Sequence, residues 1–95
     1  MAPVNIQIGP LTFDRANYDA EGDVLYLSIG EPREAEGEET PEGHVLRFAP
    51  GTNEVVGLTI ISPQHFLDRD GHLTITVPDK VEAGPEELAP ALAAV

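Results

Sequence analysis

Ninety-five residues accommodate one domain, 1–95, with a modest core; a chain this short buries only about 60–65% of the surface its unfolded form exposes. Seventeen acidic side chains against five basic ones give a net charge of −12, which excludes the basic stripe of a nucleic-acid-binding domain and disfavours anionic membrane surfaces. The absence of cysteine excludes disulfides and thiolate zinc sites.

Val4-Asn5-Ile6-Gln7-Ile8 alternates with the period of a half-buried strand and ends at Gly9-Pro10. Leu11 to Tyr18 is a second extended candidate, with Leu11 and Phe13 on one face and Ala16 and Tyr18 on the other. Asp19-Ala20-Glu21-Gly22-Asp23 is a hairpin connection rich in turn formers. Its likeness to a calcium loop is superficial, because the distal bidentate glutamate is missing. Val24 to Ile29 is the most apolar strand candidate, and its lack of clean alternation predicts that both faces are covered, one by the core and the other by a helix, a second sheet or another subunit.

Between residues 30 and 43 the character changes. Glu31, Glu34, Glu36, Glu38, Glu39 and Glu42 lie in a stretch with almost nothing apolar, which cannot offset its ordering entropy unless its backbone joins a sheet. It is expected to be an exposed acidic loop, with a short edge strand near Ala35. His44 to Ala49 and Val55 to Ile61 then form a hairpin across Pro50-Gly51-Thr52-Asn53. Ser62 as N-cap with Pro63 at the first helical position predicts a short helical turn. Asp70-Gly71 leads into a last strand, His72 to Val77, stopped by Pro78. The tail, Gly84 to Val95, holds good helix formers and acidic residues at the dipole-favoured start, but Pro90 interrupts it. One or two short helical turns or a frayed end are expected there.

No secretory signal is visible in Met1 to Pro10, and Val55 to Ile61 is too short to span a bilayer, so a cytoplasmic location is expected. The only histidines, His44, His65 and His72, match no common ligand spacing with Asp68 or Asp70. Ser28 and Ser62, the only serines, sit in no nucleophile elbow, and there is no glycine-rich phosphate loop. The carboxylates of the acidic run are expected to face water, with nothing in the sequence to desolvate them, which makes them poor general acids. Arg47 interrupts an apolar strand and is expected to point to solvent. No catalytic, metal-binding or cofactor residue is therefore assigned.

The run Tyr18-Asp19-Ala20-Glu21-Gly22-Asp23-Val24-Leu25-Tyr26-Leu27 resembles the signature of a bacterial domain-of-unknown-function family, number 2283: tyrosine-aspartate, three variable residues, then aspartate, an aliphatic, leucine and tyrosine. The similarity continues through the acidic segment and Val56-Gly57-Leu58-Thr59-Ile60, covering Tyr18 to about Ser62. The resemblance implies a compact β-meander with no general enzymatic activity and structural roles for Tyr18, Asp19, Asp23, Leu25 and Tyr26; some members are similar to antidotes encoded beside small toxins. This chain departs from the family core by an added N-terminal strand, a final strand and the tail.

The expected fold is mainly β, an antiparallel meander or small curled sheet or sandwich of five or six strands, with a short helical turn and a weak C-terminal helix. The expected function is a protein-interaction module binding a basic partner through Glu31, Glu34, Glu36, Glu38, Glu39 and Glu42. The apolar strand Val24 to Ile29 makes a homodimer the expected assembly. Alternatives are a structural or small-ligand-binding domain with a pocket lined by Tyr18, Tyr26, Phe48 and Phe66, its charge serving solubility, and, more remotely, a metal-dependent hydrolase.

Overall fold

The computed structural model describes residues 2–31, 33–77 and 79–94; the stop assigned to Pro78 lies outside them. The elements are β1 (Ala2–Ile8), β2 (Leu11–Asp19), β3 (Val24–Ser28), β4 (Glu36–Glu39), β5 (Val45–Phe48), β6 (Val55–Ile61), α1 (Pro63–Asp70), β7 (Leu73–Thr76), β8 (Lys80–Ala83) and α2 (Pro85–Leu92). The fold is mainly β and antiparallel. Six strands form one sheet in the order β1-β2-β3-β6-β5-β4, and β7 and β8 form a second sheet of two strands. The edge strand near Ala35 is β4; β8 is an additional strand, in a segment whose sequence carries too short an alternation to announce one.

Alternation decides which face of the large sheet is buried. Leu25 and Leu27 of β3, Leu58 and Ile60 of β6, and Ile6 and Ile8 of β1 all turn inward. Leu67 of α1, Leu73 and Ile75 of β7, Ala83 of β8, and Leu88 and Ala91 of α2 complete that core. β2 departs from its expected faces. Its register with β1 shifts between Pro3 and Ile6, so Phe13 and Ala16 are both fully buried instead of lying on opposite sides. Gly57 is required where it stands, since a Cβ there would lie 2.9 Å from the Leu27 carbonyl oxygen.

The tail is an ordered helix. The Glu87 carboxylate accepts the Gly84 N–H at 3.1 Å, Leu88 and Ala91 are buried, and Pro90 is exposed. Beyond the helix, the Tyr18 N–H donates to the Ala94 carbonyl at 2.7 Å, tying the tail to β2.

Helix α1 forms as expected, but its cap differs. Ser62 adopts a left-handed conformation, φ 54°, and makes no side-chain cap. The cap comes instead from Asp23, some forty residues earlier, whose two carboxylate oxygens accept the N–H groups of Gln64 at 3.1 Å and His65 at 3.2 Å. The Tyr18 hydroxyl donates to the same carboxylate at 2.7 Å, and the Ser62 N–H donates to the Asp23 carbonyl at 2.9 Å. Asp23 itself has φ 53°, a conformation that aspartate tolerates better than most side chains. Burial pushes the Asp23 carboxyl upward in pKa, but the Tyr18 hydroxyl and the two N–H donors outweigh it and hold the group below 3.8.

Replacing Asp23 with alanine removes the cap and leaves the Tyr18 hydroxyl without its acceptor. Asp23→Ala is expected to cost about 2 kcal/mol, a fall in thermal midpoint of roughly 8–16 °C for a domain this size, and Asp23→Asn less. Equal midpoints for the wild type and Asp23→Ala in thermal denaturation would contradict this role. The same contact governs Tyr18, whose hydroxyl is pushed from 10.0 to about 12 by burial first, then by the bond to Asp23 and by nearby carboxylates. A raised pKa adds stability that is complete below pH 10 and is lost as pH climbs toward 12. In Tyr26→Phe, where Tyr18 is the sole tyrosine, ultraviolet titration should give a midpoint near 12; a midpoint near 10 would refute the contact.

Candidate functional site

The acidic segment divides into parts with different physical fates. Glu31 is held by Arg15, with Nη2 and Oε1 2.9 Å apart. Glu42 turns inward: its carboxylate accepts the Thr76 N–H at 3.0 Å and the Thr76 hydroxyl at 2.8 Å. Burial raises the Glu42 pKa, but the Thr76 and Thr40 hydrogen bonds prevail and lower it. Glu42 is thus a strut between the acidic segment and β7, which corrects its expected place among the partner-binding residues. Glu34, Glu36, Glu38 and Glu39 remain exposed, and no base pairs with them among the described residues.

Three of these four stand on β4, the terminal strand of the sheet. A tight turn fixes its orientation. The Thr40 N–H donates to the His44 carbonyl at 2.7 Å, the Gly43 N–H donates to the Thr40 carbonyl at 2.9 Å, and the Thr40 Oγ1 accepts the His44 N–H at 3.1 Å. Hydrogen-bonded and non-bonded pairs alternate along an antiparallel ladder. With Thr40 bonded to His44, Glu38 and Glu36 bond to their partners Leu46 and Phe48. The N–H and C=O groups of Gly37 and Glu39 therefore point outward, away from the sheet. On the inner side, Glu36 and Glu38 lie opposite half-buried Phe48 and Leu46, and Glu38, Glu39, Leu46 and Phe48 border an open groove of about 260 Å³ with Pro41 and Thr76. An unpaired edge, an apolar strip and unneutralised carboxylates thus occur together.

A second depression, of about 250 Å³, lies between α1 and β7 and brings together His44, Phe66, Arg69, Asp70 and His72. Its charges satisfy one another. Arg69 donates to Asp70 at 3.1 and 2.9 Å and lies 5.1 Å over the Phe66 ring, and His72 is 3.6 Å from Glu82. His44 is buried, its Nδ1 accepts the Ile61 N–H at 3.0 Å, and its ring also bonds the Thr74 backbone. With both ring nitrogens engaged, His44 is a structural neutral imidazole with no free lone pair for a base or a metal. His65 stands apart on α1, stacked edge-on against Phe66 at 5.5 Å. Among the described residues no three His, Cys, Asp or Glu side chains gather as metal ligands.

The expected aromatic pocket is not formed. Tyr18 shares the inner face with its partner Leu25, whereas Tyr26 is on the outer face beside Asn17 and Thr59. Phe48 lines the groove next to β4, and Phe66 the depression at α1. The signature residues have separate structural duties. Tyr18 and Asp23 build the α1 cap, Asp19 accepts the Gly22 N–H at 3.2 Å within the turn, and Leu25 is fully buried. No helix among the described residues is long and apolar enough to cross a membrane.

No family model, curated protein or solved structure matches this chain.

Burial lowers the pKa of His44 below 6.5, against the smaller upward pull of Glu42 and the Thr74 bond. As pH falls through 6.5 the unfolded chain takes up a proton that the folded chain refuses, so the stability that His44 supplies is complete above that value and lost below it. Thermal midpoints should decline as pH falls from 7 through 6.5, and the decline should shrink in His44→Gln. A wild-type midpoint that is flat across this window would contradict a buried neutral His44.

Proposed function

We propose that this chain is a protein-interaction module that receives an extended basic segment of a partner protein along β4. The observation that carries the reading is the coincidence, on one strand, of outward-facing Gly37 and Glu39 backbone groups with unneutralised Glu36, Glu38 and Glu39. A strand added to that edge makes main-chain hydrogen bonds and sets alternate side chains beside Glu36 and Glu38, over the Leu46–Phe48 groove. Lysine or arginine at those positions neutralises the carboxylates, and their aliphatic stems cover the apolar strip.

The charge also selects against other occupants. Edge strands invite pairing, and like charges on an edge are a known device against self-association. A second copy meeting β4 edge to edge would set glutamates against glutamates in a molecule of net charge −12. A basic segment meets attraction instead, which speeds encounter at low ionic strength. The antidote role that the family resemblance implies, in which a small acidic protein holds a basic one, is of this kind.

The test is titration with a peptide of alternating lysine and valine, followed by calorimetry and by amide hydrogen exchange. Binding is expected to weaken as salt rises from about 0.05 M to about 0.5 M. Neutralising Glu38 or Glu39 to glutamine should weaken it up to about five-fold each, and the Gly37 and Glu39 amides should gain protection. Absence of binding at low salt would overturn the basic-partner reading. Binding without protection of those two amides would leave the charge attraction but remove the strand addition.

A further inference from the structure

The outer face of the large sheet carries a pattern that the β4 reading leaves unused. The cross-strand pairs align three rows of side chains on it: Asp19, Val24 and Ile61; then Asn17, Tyr26, Thr59, Val45 and Glu39; then Arg15, Ser28, Gly57, Arg47 and Gly37. Both helices and the β7–β8 pair contribute their buried residues to the opposite, inner face. Among the described residues, Tyr26 at 37% and Ile61 at 38% exposure are the exposed large hydrophobic residues, and both stand on this outer face.

Charge distinguishes this surface from the rest. Its rows contain two carboxylates, Asp19 and Glu39, and two guanidinium groups, Arg15 (paired with Glu31) and Arg47, so it is close to balanced in a chain of net charge −12, and its centre, Tyr26 and Thr59, is uncharged. β3, β6 and β5 present no carboxylate there. Arg47 is half-buried against Gly57, and its guanidinium has no acidic partner among the described residues, whereas Arg15, Arg33 and Arg69 each have one. The Arg47 guanidinium, whose stem packs on Gly57 beside an apolar strip, is thus available to an acceptor from outside the chain.

We infer that a second copy of this chain packs on this face, with Tyr26 and Thr59 at the centre and Asp19 of each copy against Arg47 of the other. Asp19 and Arg47 occupy opposite corners of the patch. They are three strands apart, about 14 Å, and two rows apart along the strands, also about 14 Å. Because these spans are nearly equal, a two-fold axis along the other diagonal exchanges the corners while the sheets cross near a right angle, an established mode of sheet packing. Each interface then holds two Asp19–Arg47 pairs around a neutral apolar centre. The uncharged centre is what lets two strongly anionic molecules meet here.

Sedimentation equilibrium on the full chain should give twice the 10.2 kDa chain mass. Tyr26→Asp should weaken association more than about ten-fold while the far-ultraviolet circular dichroism stays unchanged. Arg47→Glu and Asp19→Arg, each repulsive when paired with itself, should be monomeric alone and recover the dimer when mixed, because the mixed pair places opposite charges together at both corners. Concentration-dependent amide shifts in the wild type, confined to Val24, Tyr26, Val45, Thr59 and Ile61, would support the same face without any variant. A chain that stays monomeric at about 1 mM, a dimer indifferent to Tyr26→Asp, or a mixture of the two charge variants that gains nothing would each overturn the inference.

Discussion

Two N–H groups of α1, the Tyr18 hydroxyl and the Ser62 N–H all meet at Asp23, at the end of the β2–β3 turn, and the rest of the architecture is arranged around that junction. A helix of two turns has little stability of its own, so α1 needs a cap and a surface to pack on. Asp23 supplies the cap, and the inner face of the sheet supplies the surface through Leu67. With α1 fixed, Gly71, φ 78°, ends it and directs the chain into β7, whose Leu73 and Ile75 close the core. The junction thus converts a local turn into a constraint on how the C-terminal third sits on the sheet.

β7 in turn holds the acidic segment. The Glu42 carboxylate reaches Thr76 from the end of the tight turn that joins β4 to β5. A strand as acidic as β4, with all four residues exposed, has little apolar burial to keep it in place. What fixes it is the ladder to β5 and the anchor at its C-terminal end. Segregation of the six glutamates follows from this: one becomes structural, one is neutralised by Arg15, and four are left facing water at the sheet margin. The candidate site depends on that division.

Much of this was legible in the sequence where the signal is local. Period-two alternation marks β1, β5, β6 and β7, an apolar run marks β3, and the Ser62-Pro63 step marks the start of α1. What was not legible depends on contacts between distant residues. Ser62 is a good capping residue by type, but the chain enters α1 through a left-handed Ser62 whose side chain makes no cap, and the carboxylate of Asp23, just before β3 and far off in sequence, takes its place. Glu42 is indistinguishable in sequence from Glu38 or Glu39; only the proximity of Thr76 separates them. β2 misled because its alternation is broken in register with β1, an event that no single strand reveals. Pro90 argued against a helix through the donor it lacks, but the burial of Leu88 and Ala91 outweighs one missing bond on an exposed side.

The distribution of charge joins the two proposed surfaces. A net charge of −12 spread evenly would repel every copy from every other and would attract basic partners everywhere with equal weakness. Here the charge is uneven. The outer face comes close to balancing its own charges and exposes Tyr26 and Ile61, while the β4 margin concentrates free carboxylates beside Leu46 and Phe48. On the two proposals, one surface would admit like molecules and the other opposite charge. Because β4 lies one strand beyond the Arg47 corner on β5, a pair of copies centred on Tyr26 and Thr59 would keep its two β4 edges at the periphery. Self-association of that kind would leave the edges open and double the number offered to a basic segment.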